Sequence, residues 1–465
     1  MKLDEINFKN INLIKDKNFI IREEPFGVLI YDKITKRKFW GNNLAKNIIQ
    51  SCDTEQNVPQ IFSRLHLNKN SKNYKEFIIF LSELINVGML NSNSPLSFKQ
   101  QWKEKKISKL SNSYPYSIPN ITIPLSAPLF VYWELTYKCN LNCKHCYAKD
   151  RKLKTKELTT QECFRIIDEL AELKIFEITF SGGEPLIRKD LLDLIRYANK
   201  KGIAVLLTTN GTLINQNTAK RLRLAGLQAA QVSLDGSTAK THDDFRGCNG
   251  SFLKTIKGIK NLVRNKIPVI IATMPTKFNL PEISKILKLA KKLKVQGYRI
   301  LECKPFGRGK EALKNVITLK DYKNLLKLII KERQKLKNDL FILLSESFAF
   351  KTDSRFSKEI NNPLIDCPAG RSMFSIAPDG IVSPCSYFAF AGLTVGNLKK
   401  ERIKDIWDNS LFMKKLRQLD FSKKKNNKIC LSCKYSNKCG RGCRALAYSI
   451  TKDLRGMDPR CLKNI

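Results

Sequence analysis

Residues 139–147 read CNLNCKHCY, a stretch that places Cys139, Cys143 and Cys146 within eight consecutive positions. Three explanations are open: a zinc site, disulfide bonds or an iron–sulfur cluster. A closed zinc site needs four ligands, and only His145 stands nearby as a fourth. Three thiolates on a four-iron cluster would leave one iron open to bind a further ligand. The spacing therefore favours the cluster over zinc.

Composition indicates where such a protein works. The 465 residues contain 14 cysteines, yet the start, MKLDEINFKN, carries acids and lacks the apolar core of a secretory signal. No apolar stretch is long enough to predict a membrane span. In the reducing cytoplasm, clustered cysteines bind metal more often than they form disulfides. We therefore expect a cytoplasmic metal-binding protein.

The chain is strongly basic, with 84 Lys and Arg against 42 Asp and Glu and a formal net charge of +42. One interpretation is an anionic partner, either a nucleic acid or an acidic peptide. The other is a compositional bias that solvates the surface. Lysines are scattered along the whole chain rather than gathered on one module. This scatter favours the bias and argues against nucleic acid as a partner.

The first 92 residues carry the pattern of a small separate domain. Segments 19–32 and 36–40 are rich in β-branched and aromatic residues and predict three strands. Three helical patterns follow, at 42–52, 58–67 and 75–90. The order predicts a winged-helix-like domain. Residues 93–127 are rich in Ser, Pro and Asn and predict a linker.

From Phe130 onward, strand and helix patterns alternate. In the helical segment 160–174, Thr159 and Glu162 have the spacing of a capping box. Such alternation predicts a parallel β/α barrel, in which chemistry sits at the carboxyl ends of the strands. The cysteine stretch follows the first strand directly. The predicted strands are 130–136, 176–181, 204–211, 228–236, 268–274 and 298–304.

Beyond about residue 360 the alternation stops and cysteines return without any histidine. Thiols with no other soft ligand indicate all-sulfur sites, either four-cysteine zinc or iron–sulfur clusters. Cys52 and Cys163 lie in amphipathic helical patterns instead, and we predict that they are packing residues. The cysteines of this C-terminal region are Cys367, Cys385, Cys430, Cys433, Cys439, Cys443 and Cys461.

These motifs together resemble a known family. CNLNCKHC resembles the CxxxCxxC signature of radical S-adenosylmethionine (SAM) enzymes, whose α/β fold is a partial (β/α)6 barrel. SGGEP (181–185) is similar to the family's GGEP motif, and TTNGT (208–212) and VSLDG (232–236) follow the next two strands. The C-terminal cysteines resemble the SPASM domain. Residues 5–92 resemble the PqqD-like domain that binds leader peptides of ribosomally made, modified peptides.

The resemblance implies a cofactor and residues that hold it. Cys139, Cys143 and Cys146 would bind a 4Fe–4S cluster whose open iron chelates SAM, and a 5′-deoxyadenosyl radical would then abstract hydrogen from the substrate. For Asp235 a plain turn, and for Arg246 a surface salt bridge, remain open alternatives. The residues implied to contact SAM are His145, Gly182, Gly183, Glu184, Asn210, Ser233, Asp235 and Arg246.

The SPASM resemblance also implies two auxiliary 4Fe–4S clusters. One would be held by Cys430, Cys433, Cys439 and Cys461. The other would be held by Cys367, Cys385 and Cys443, with substrate sulfur or Cys303 as an open choice for its fourth ligand. Sulfatase-maturing relatives are expected to carry an acidic residue directly after the equivalent of Cys385, where this chain has Ser386.

The sequence thus predicts a radical SAM/SPASM maturase that binds the leader of a precursor peptide. It would form an intramolecular thioether or another crosslink and take electrons from a flavodoxin- or ferredoxin-like donor. The predicted domains are 1–92 for peptide recognition, 128–340 for the radical SAM core and 341–465 for SPASM. The alternatives are a sulfatase-maturase-like enzyme, a tetrapyrrole-modifying enzyme, or a non-enzymatic nucleic-acid-binding protein with zinc sites.

Overall fold

The computed structural model divides the chain into two compact units, Met1–Ser126 and Ala127–Ile465. Each unit has its own elements and is considered separately. The structure describes residues 12–33, 38–67, 76–78, 80–81, 84–85, 89–92, 124–146, 148, 153–301, 306, 317–336, 340–344, 367–419, 433 and 442–458.

The first unit combines two small antiparallel sheets with helices. One sheet has the order β2-β3-β4 and the other the order β5-β1-β6. Helical residues also occur at 76–78, 80–81 and 84–85. The named elements are β1 (Asn12–Lys15), β2 (Phe19–Glu24), β3 (Gly27–Asp32), β4 (Lys38–Gly41), α1 (Asn43–Ser51), β5 (Gln56–Asn57), α2 (Val58–Arg64) and β6 (Leu90–Ser92).

The prediction for this unit is confirmed for its central sheet and first two helices. Strand β3 is buried along its whole length, and Phe77, Leu81 and Leu84 pack in the same apolar core. Cys52 is fully buried in that core, as predicted for a packing residue. The sheet formed by β5, β1 and β6 was not predicted, because strands of two to four residues are too short to show alternation.

The second unit begins with alternating strands and helices, and the six predicted strands are confirmed. Within the described ranges a seventh strand, β13, continues the parallel series. The elements are β7 (Phe130–Thr136), α3 (Thr160–Glu172), β8 (Glu177–Gly182), α4 (Leu191–Lys200), β9 (Ala204–Thr209), α5 (Gln216–Leu224), β10 (Ala229–Ser233), α6 (Ala239–Arg246), α7 (Ser251–Arg264), β11 (Val269–Thr273), α8 (Ile283–Lys292), β12 (Gly297–Ile300), α9 (Leu319–Leu336) and β13 (Phe341–Leu344).

Helix α3 shows how local sequence positions an element of this unit. The Thr159 hydroxyl accepts from the Glu162 amide at 3.2 Å, and the Glu162 carboxylate accepts from the Thr159 amide at 2.7 Å, which is the predicted capping box. Ile167 and Leu170 of this helix are fully buried. Cys163 is also fully buried on this face, as expected for a packing residue.

The C-terminal region does not form a separate sheet. Strand β14 pairs parallel with β7, so the described strands make one mostly parallel sheet in the order β13-β12-β11-β10-β9-β8-β7-β14-β15-β16. The sequence predicted an end to the β/α pattern but not this continuation. The added elements are β14 (Met373–Ile376), β15 (Ile381–Ser383), α10 (Ser386–Phe390), β16 (Gly396–Asn397), α11 (Ile403–Asn409), α12 (Leu411–Arg417) and α13 (Arg444–Thr451).

The parallel sheet brings the carboxyl ends of its strands to one edge, and the cysteine loop leaves that edge directly after β7. In the part of the chain that the structure describes, no helix is long and apolar enough to cross a bilayer.

A substitution in β14 tests whether the C-terminal strands are integral to the second unit. Phe374 is buried and lies 6.3 Å from the fully buried Trp407 ring. Phe374→Ala should lower the free energy of unfolding by about 3–5 kcal/mol and lower the melting temperature of the unit as a whole. The control Leu411→Ala truncates a side chain that is 74% exposed, so its effect should stay within about 0.5 kcal/mol. Equal melting temperatures for the two variants by calorimetry would contradict this description.

Candidate active site

The three clustered cysteines lie on the loop that follows β7. Cys143 is buried, Cys146 is half-buried and Cys139 is exposed. None of the three forms a disulfide bond, so disulfide bonding does not account for this stretch. Although Cys139 as a whole residue is exposed, desolvation of its thiol raises the pKa of Cys139 to about 11, and burial raises the pKa of Cys143. Because iron binds the thiolate, metal binding here displaces thiol protons.

The GGEP motif lies directly against the backbone that enters the cysteine loop. The Gly183 amide donates to the Thr136 carbonyl at 2.7 Å, and the Glu184 amide donates to the Lys138 carbonyl at 2.9 Å. Gly182 has a φ of +136°, and a Cβ at Gly183 would lie 2.2 Å from the Lys138 carbonyl oxygen. These glycines are therefore required for a backbone contact within the protein. Their predicted contact with SAM stays a prediction.

Glu184 connects this motif to the end of β9. Its carboxylate accepts from the Thr209 hydroxyl and the Asn210 amide, both at 2.8 Å, and from the Leu186 amide at 3.2 Å. The side chain is fully buried, and burial raises the pKa of Glu184 to about 7 although these hydrogen bonds lower it. The predicted bond to the ammonium group of SAM stays a prediction.

A side-chain network continues from Asn210 into the cysteine loop. The Asn210 amide group donates to Asn140 at 2.9 Å, and Asn140 donates to the Thr212 hydroxyl at 2.9 Å. The Thr212 amide returns a bond to Asn210, also at 2.9 Å. Sequence reasoning missed Asn140 and Thr212 as site residues. Their position within the quoted CNLNC and TTNGT motifs was the available signal.

Arg246 and Asp235 form a buried ion pair beside the second cysteine. The guanidinium donates to the Asp235 carboxylate and approaches the Cys143 sulfur at 3.8 Å. The Met274 amide donates to the other Asp235 oxygen at 2.7 Å. Because the Asp235 side chain is 0% and the Arg246 side chain 9% exposed, the alternative of a surface salt bridge is wrong. The contacts of both residues with SAM stay predictions.

His242 supports this ion pair and was not identified from the sequence. Its Nδ1 accepts from the Asp235 backbone amide at 3.2 Å, and its ring lies edge-on to Phe252. Burial lowers the pKa of His242 to about 3, so the ring stays neutral. A neutral ring can accept the amide hydrogen that fixes the turn after β10.

Two other residues are predicted to contact SAM: His145, which lies among the cysteines, and Ser233, which lies at a strand end. The His145 ring stacks on Phe245, with centroids 4.3 Å apart and an interplanar angle of 14°. Ser233 ends strand β10 and is half-buried. Both are on the carboxyl side of the sheet, where the sequence predicted the site.

The C-terminal cysteines are partly described. Cys367, Cys385 and Cys443 pack against one apolar cluster that contains Phe388 and Ala445. Cys385 precedes α10 and Cys443 precedes α13, each at the helix N-cap. The structure thus gathers the three cysteines predicted for one auxiliary cluster around a shared core. Cys433 is half-buried, and the remaining predictions, on Cys303, Cys430, Cys439 and Cys461, lie outside the described residues.

A small cavity is lined by residues of both the cysteine loop and this C-terminal region. Its volume is about 260 Å³, and its lining includes Tyr137, two residues before Cys139, and Phe390, five residues after Cys385. Lys154 and Asp379 contribute polar groups to the wall. The cavity therefore borders both cysteine-bearing segments.

The donor sets suit iron–sulfur clusters. Free thiols on a loop beside the Arg246 guanidinium are the soft ligands that iron–sulfur clusters use. When bound, the cluster and SAM supply radical chemistry, and the protein supplies binding and orientation.

Comparison with known proteins agrees with this site. The family model of the radical SAM superfamily matches residues 133–290, and that of the SPASM iron–sulfur cluster-binding domain matches residues 367–434. The AdoMet-dependent heme synthase of Methanosarcina barkeri is 35% identical, over 72% of this chain and 97% of its own length. The mycofactocin maturase MftC of Mycobacterium tuberculosis is 30% identical, over 76% of this chain and 88% of its own length.

The solved structure of Streptococcus suis SuiB bound to S-adenosylmethionine shares the fold. Its TM-score is 0.72 at 19% identity, and the match covers 97% of this chain and all of SuiB. The family matches and the heme synthase identity together exclude the non-enzymatic alternative. The chain therefore belongs to the radical SAM superfamily: it is an S-adenosylmethionine-dependent enzyme that binds a 4Fe–4S cluster and SAM and carries a SPASM iron–sulfur domain.

Proposed function

We propose that this enzyme modifies a ribosomally made precursor peptide. The first unit would bind the leader of that peptide in the manner of a PqqD-like domain. The second unit would form a thioether or another intramolecular crosslink in the core peptide. The enzyme would act in the cytoplasm and receive electrons from a flavodoxin- or ferredoxin-like protein.

The observation that carries this proposal is the folded first unit, Met1–Ser126. The match with the heme synthase uses 97% of that relative but leaves more than a quarter of this chain outside it. A SuiB structure bound to the precursor peptide SuiA matches 97% of this chain with a TM-score of 0.72. The heme synthase matches only part of this chain, whereas a fold neighbour bound to a precursor peptide matches nearly all of it, and this difference supports peptide recognition.

The first unit offers a sheet edge suited to an extended peptide. Strand β4, Lys38–Gly41, is the last strand of the sheet β2-β3-β4 among the described residues. An edge strand has backbone groups that an added strand can pair with. At the other end of this sheet, the Glu24 carboxylate on β2 accepts from the Ser126 amide at 2.8 Å. We therefore place the leader on β4.

Charge would select the leader. A chain of net charge +42 attracts acidic peptides, and such attraction weakens as salt screens it. The sequence KRKFW (36–40) places Lys36 and Arg37 next to β4, where they would favour an acidic leader, and both residues lie outside the described part of the chain. The side chain of Lys38 is likewise not described, so the proposal rests on the strand position.

The second unit supplies what a crosslink needs. Forming a thioether removes two hydrogen atoms from the peptide, so a second electron must leave after the first hydrogen is abstracted. Cys367, Cys385 and Cys443 would hold an auxiliary cluster able to accept it. The cavity beside Tyr137 and Phe390 would receive the core peptide between the two cysteine-bearing segments.

Tetrapyrrole modification is the second candidate. The 35% identity to the heme synthase, against 30% for MftC, favours it for the second unit. A sulfatase-type reaction receives less support. Ser386, which follows Cys385, has a buried hydroxyl with no hydrogen-bond partner among the described residues, and it cannot replace a carboxylate base.

The cysteine loop can be tested by iron content and SAM cleavage. Changing Cys139, Cys143 and Cys146 together to Ala should remove about a third of the iron if three clusters are present. The same variant should form no 5′-deoxyadenosine. Cys248→Ala is the control, because this half-buried thiol lies in the same unit outside the cluster motifs. Retained 5′-deoxyadenosine formation in the triple variant would disprove the ligand assignment.

The role of the first unit can be tested with the two units expressed apart. The fragment Met1–Ser126 should bind the leader of the cognate precursor peptide with a Kd of about 1 μM, roughly −8 kcal/mol, and binding should weaken with salt. The fragment Ala127–Ile465 should still cleave SAM but scarcely modify the precursor. Calorimetry and peptide mass spectrometry measure the two results.

The same assays separate the two candidate functions. A peptide lighter by two hydrogen atoms per crosslink, formed by the full chain, supports peptide maturation. Haem formed from an iron porphyrin precursor at equal rates with and without the first unit would replace this proposal by the tetrapyrrole function. Absence of leader binding together with undiminished crosslinking by Ala127–Ile465 would reject leader recognition alone.

A further inference from the structure

The cysteine loop begins and ends close to one buried arginine. Residues 136–157 run from the last residue of strand β7 to Glu157, three residues before α3 begins, and they include all three clustered cysteines. Leu135 immediately precedes this segment and Leu158 immediately follows it. The backbone carbonyls of both leucines accept hydrogen bonds from the same side chain, that of Arg188.

The Arg188 side chain bridges the two ends of the cysteine loop, and we call its hydrogen bonds to the Leu135 and Leu158 carbonyls the bracket. Its Nη1 donates to the Leu135 carbonyl at 3.1 Å, and its Nη2 donates to the Leu158 carbonyl at 2.8 Å. The Nη2 also lies 3.4 Å from the sulfur of Cys163, on the buried face of α3. One guanidinium thus joins the end of a strand, the end of the cysteine loop and the helix that follows it.

Arg188 is itself held in place. Its Nε and Nη2 donate to the two carboxylate oxygens of Asp190 at 2.7 and 3.0 Å, which is a bidentate pair. Asp190 also accepts from the Thr160 hydroxyl at 2.7 Å, which ties the pair to the first turn of α3. The Arg188 side chain is 9% exposed, so little water competes for these bonds.

Two further hydrogen bonds hold the ends of the cysteine loop in place. The Thr136 hydroxyl donates to the Glu157 carboxylate at 2.7 Å, joining the first and last residues of the segment. The Leu158 amide donates to the Pro378 carbonyl at 2.7 Å, which joins the loop end to the turn between β14 and β15. The segment therefore leaves and re-enters the fold at a fixed separation, and Arg188 spans that separation.

We propose that Arg188 is a positioning residue for the iron–sulfur cluster. It holds the two ends of the cysteine loop together, so that the thiols on the loop keep one spacing. It acts through the backbone of Leu135 and Leu158, and its hydrogen bonds within the described residues go to those carbonyls, to Asp190 and to Cys163 rather than to the clustered cysteines. The inference is independent of the substrate and goes beyond the proposed function, because any reaction of this enzyme requires the cluster to be held.

The planar fork of arginine is what the position requires. Leu135, Leu158 and Asp190 receive hydrogen bonds in several directions from one rigid group. A lysine keeps the charge but presents a single ammonium on a flexible chain and cannot reproduce this pattern. Arg188→Lys therefore separates loss of the bracket from loss of the charge.

The test uses the full-length enzyme after anaerobic reconstitution. In Arg188→Lys, iron should pass from the SAM-binding cluster to a chelator about tenfold faster, which is the usual scale for loss of a supporting contact at a metal site. The electron paramagnetic resonance spectrum of the reduced cluster should also change. Iron release from several clusters gives several kinetic phases. The phase that belongs to the SAM-binding cluster is the one that disappears when Cys139, Cys143 and Cys146 are all replaced by Ala.

The matched control is Arg196→Lys on helix α4. Arg196 pairs with Asp193 at 2.7 Å but is 62% exposed and belongs to an ordinary surface pair, so both readouts should equal those of the unchanged enzyme. A role for Arg188 in fold stability alone predicts a lower melting temperature with unchanged iron release and an unchanged spectrum. That outcome would overturn the proposal.

If Arg188→Lys does not fold, Asp190→Asn decides. This variant keeps the guanidinium but removes the charge of the carboxylate that orients it. Faster iron release and an altered spectrum in Asp190→Asn would support the bracket. Release and spectrum equal to those of the unchanged enzyme would overturn it.

Discussion

The approach of the Gly182–Gly183 backbone to the carbonyls of Thr136 and Lys138 is the constraint on which the site depends. A Cβ at either glycine would lie 2.2 Å from one of these oxygens, so a side chain at either position would push the two segments apart. Because the strands are parallel and adjacent, this contact fixes the end of β8 against the start of the cysteine loop. The bonds of Glu184 and Arg188 depend on that register, since Glu184 directly follows Gly183 and Arg188 comes four residues after Glu184.

The polar residues at this sheet edge are buried and bonded to one another. Glu184 takes three hydrogen bonds, and Asp235 is paired with Arg246 and the Met274 amide. Removing one partner from such a network leaves a buried charge or dipole uncompensated, which is costly in a medium of low dielectric constant. The network thus rigidifies the strand ends and gives the site a defined shape.

The continuous sheet relates the two iron–sulfur regions physically. Strand β14 extends the parallel sheet beyond β7, and the turn after β14 binds the end of the cysteine loop through Pro378. The segments that carry Cys139 and Cys385 are consequently parts of one packed unit. Such packing suits a reaction in which a substrate is oxidised between two redox centres.

The sequence by itself determined the chemistry and most of the order of elements. The sequence alone indicates a cluster that binds SAM, because three cysteines lie within eight positions and SGGEP follows at the end of the next strand. Strand β7 was predictable because its seven residues, FVYWELT, are mostly apolar. The capping box of α3 was predictable because it depends only on residues close together in the sequence. Short strands such as β5 and β16 have two residues and carry no periodicity.

Only the tertiary structure decided which polar groups meet. Arg246 could have been a surface residue until the fold placed it on Asp235 and beside Cys143, more than 100 positions away in the chain. His242 and Arg188 gave no signal, because an isolated histidine or arginine has many ordinary surface roles. The addition of β14 to β7 was equally hidden, since pairing between strands more than 200 residues apart depends on the assembled sheet and not on local pattern.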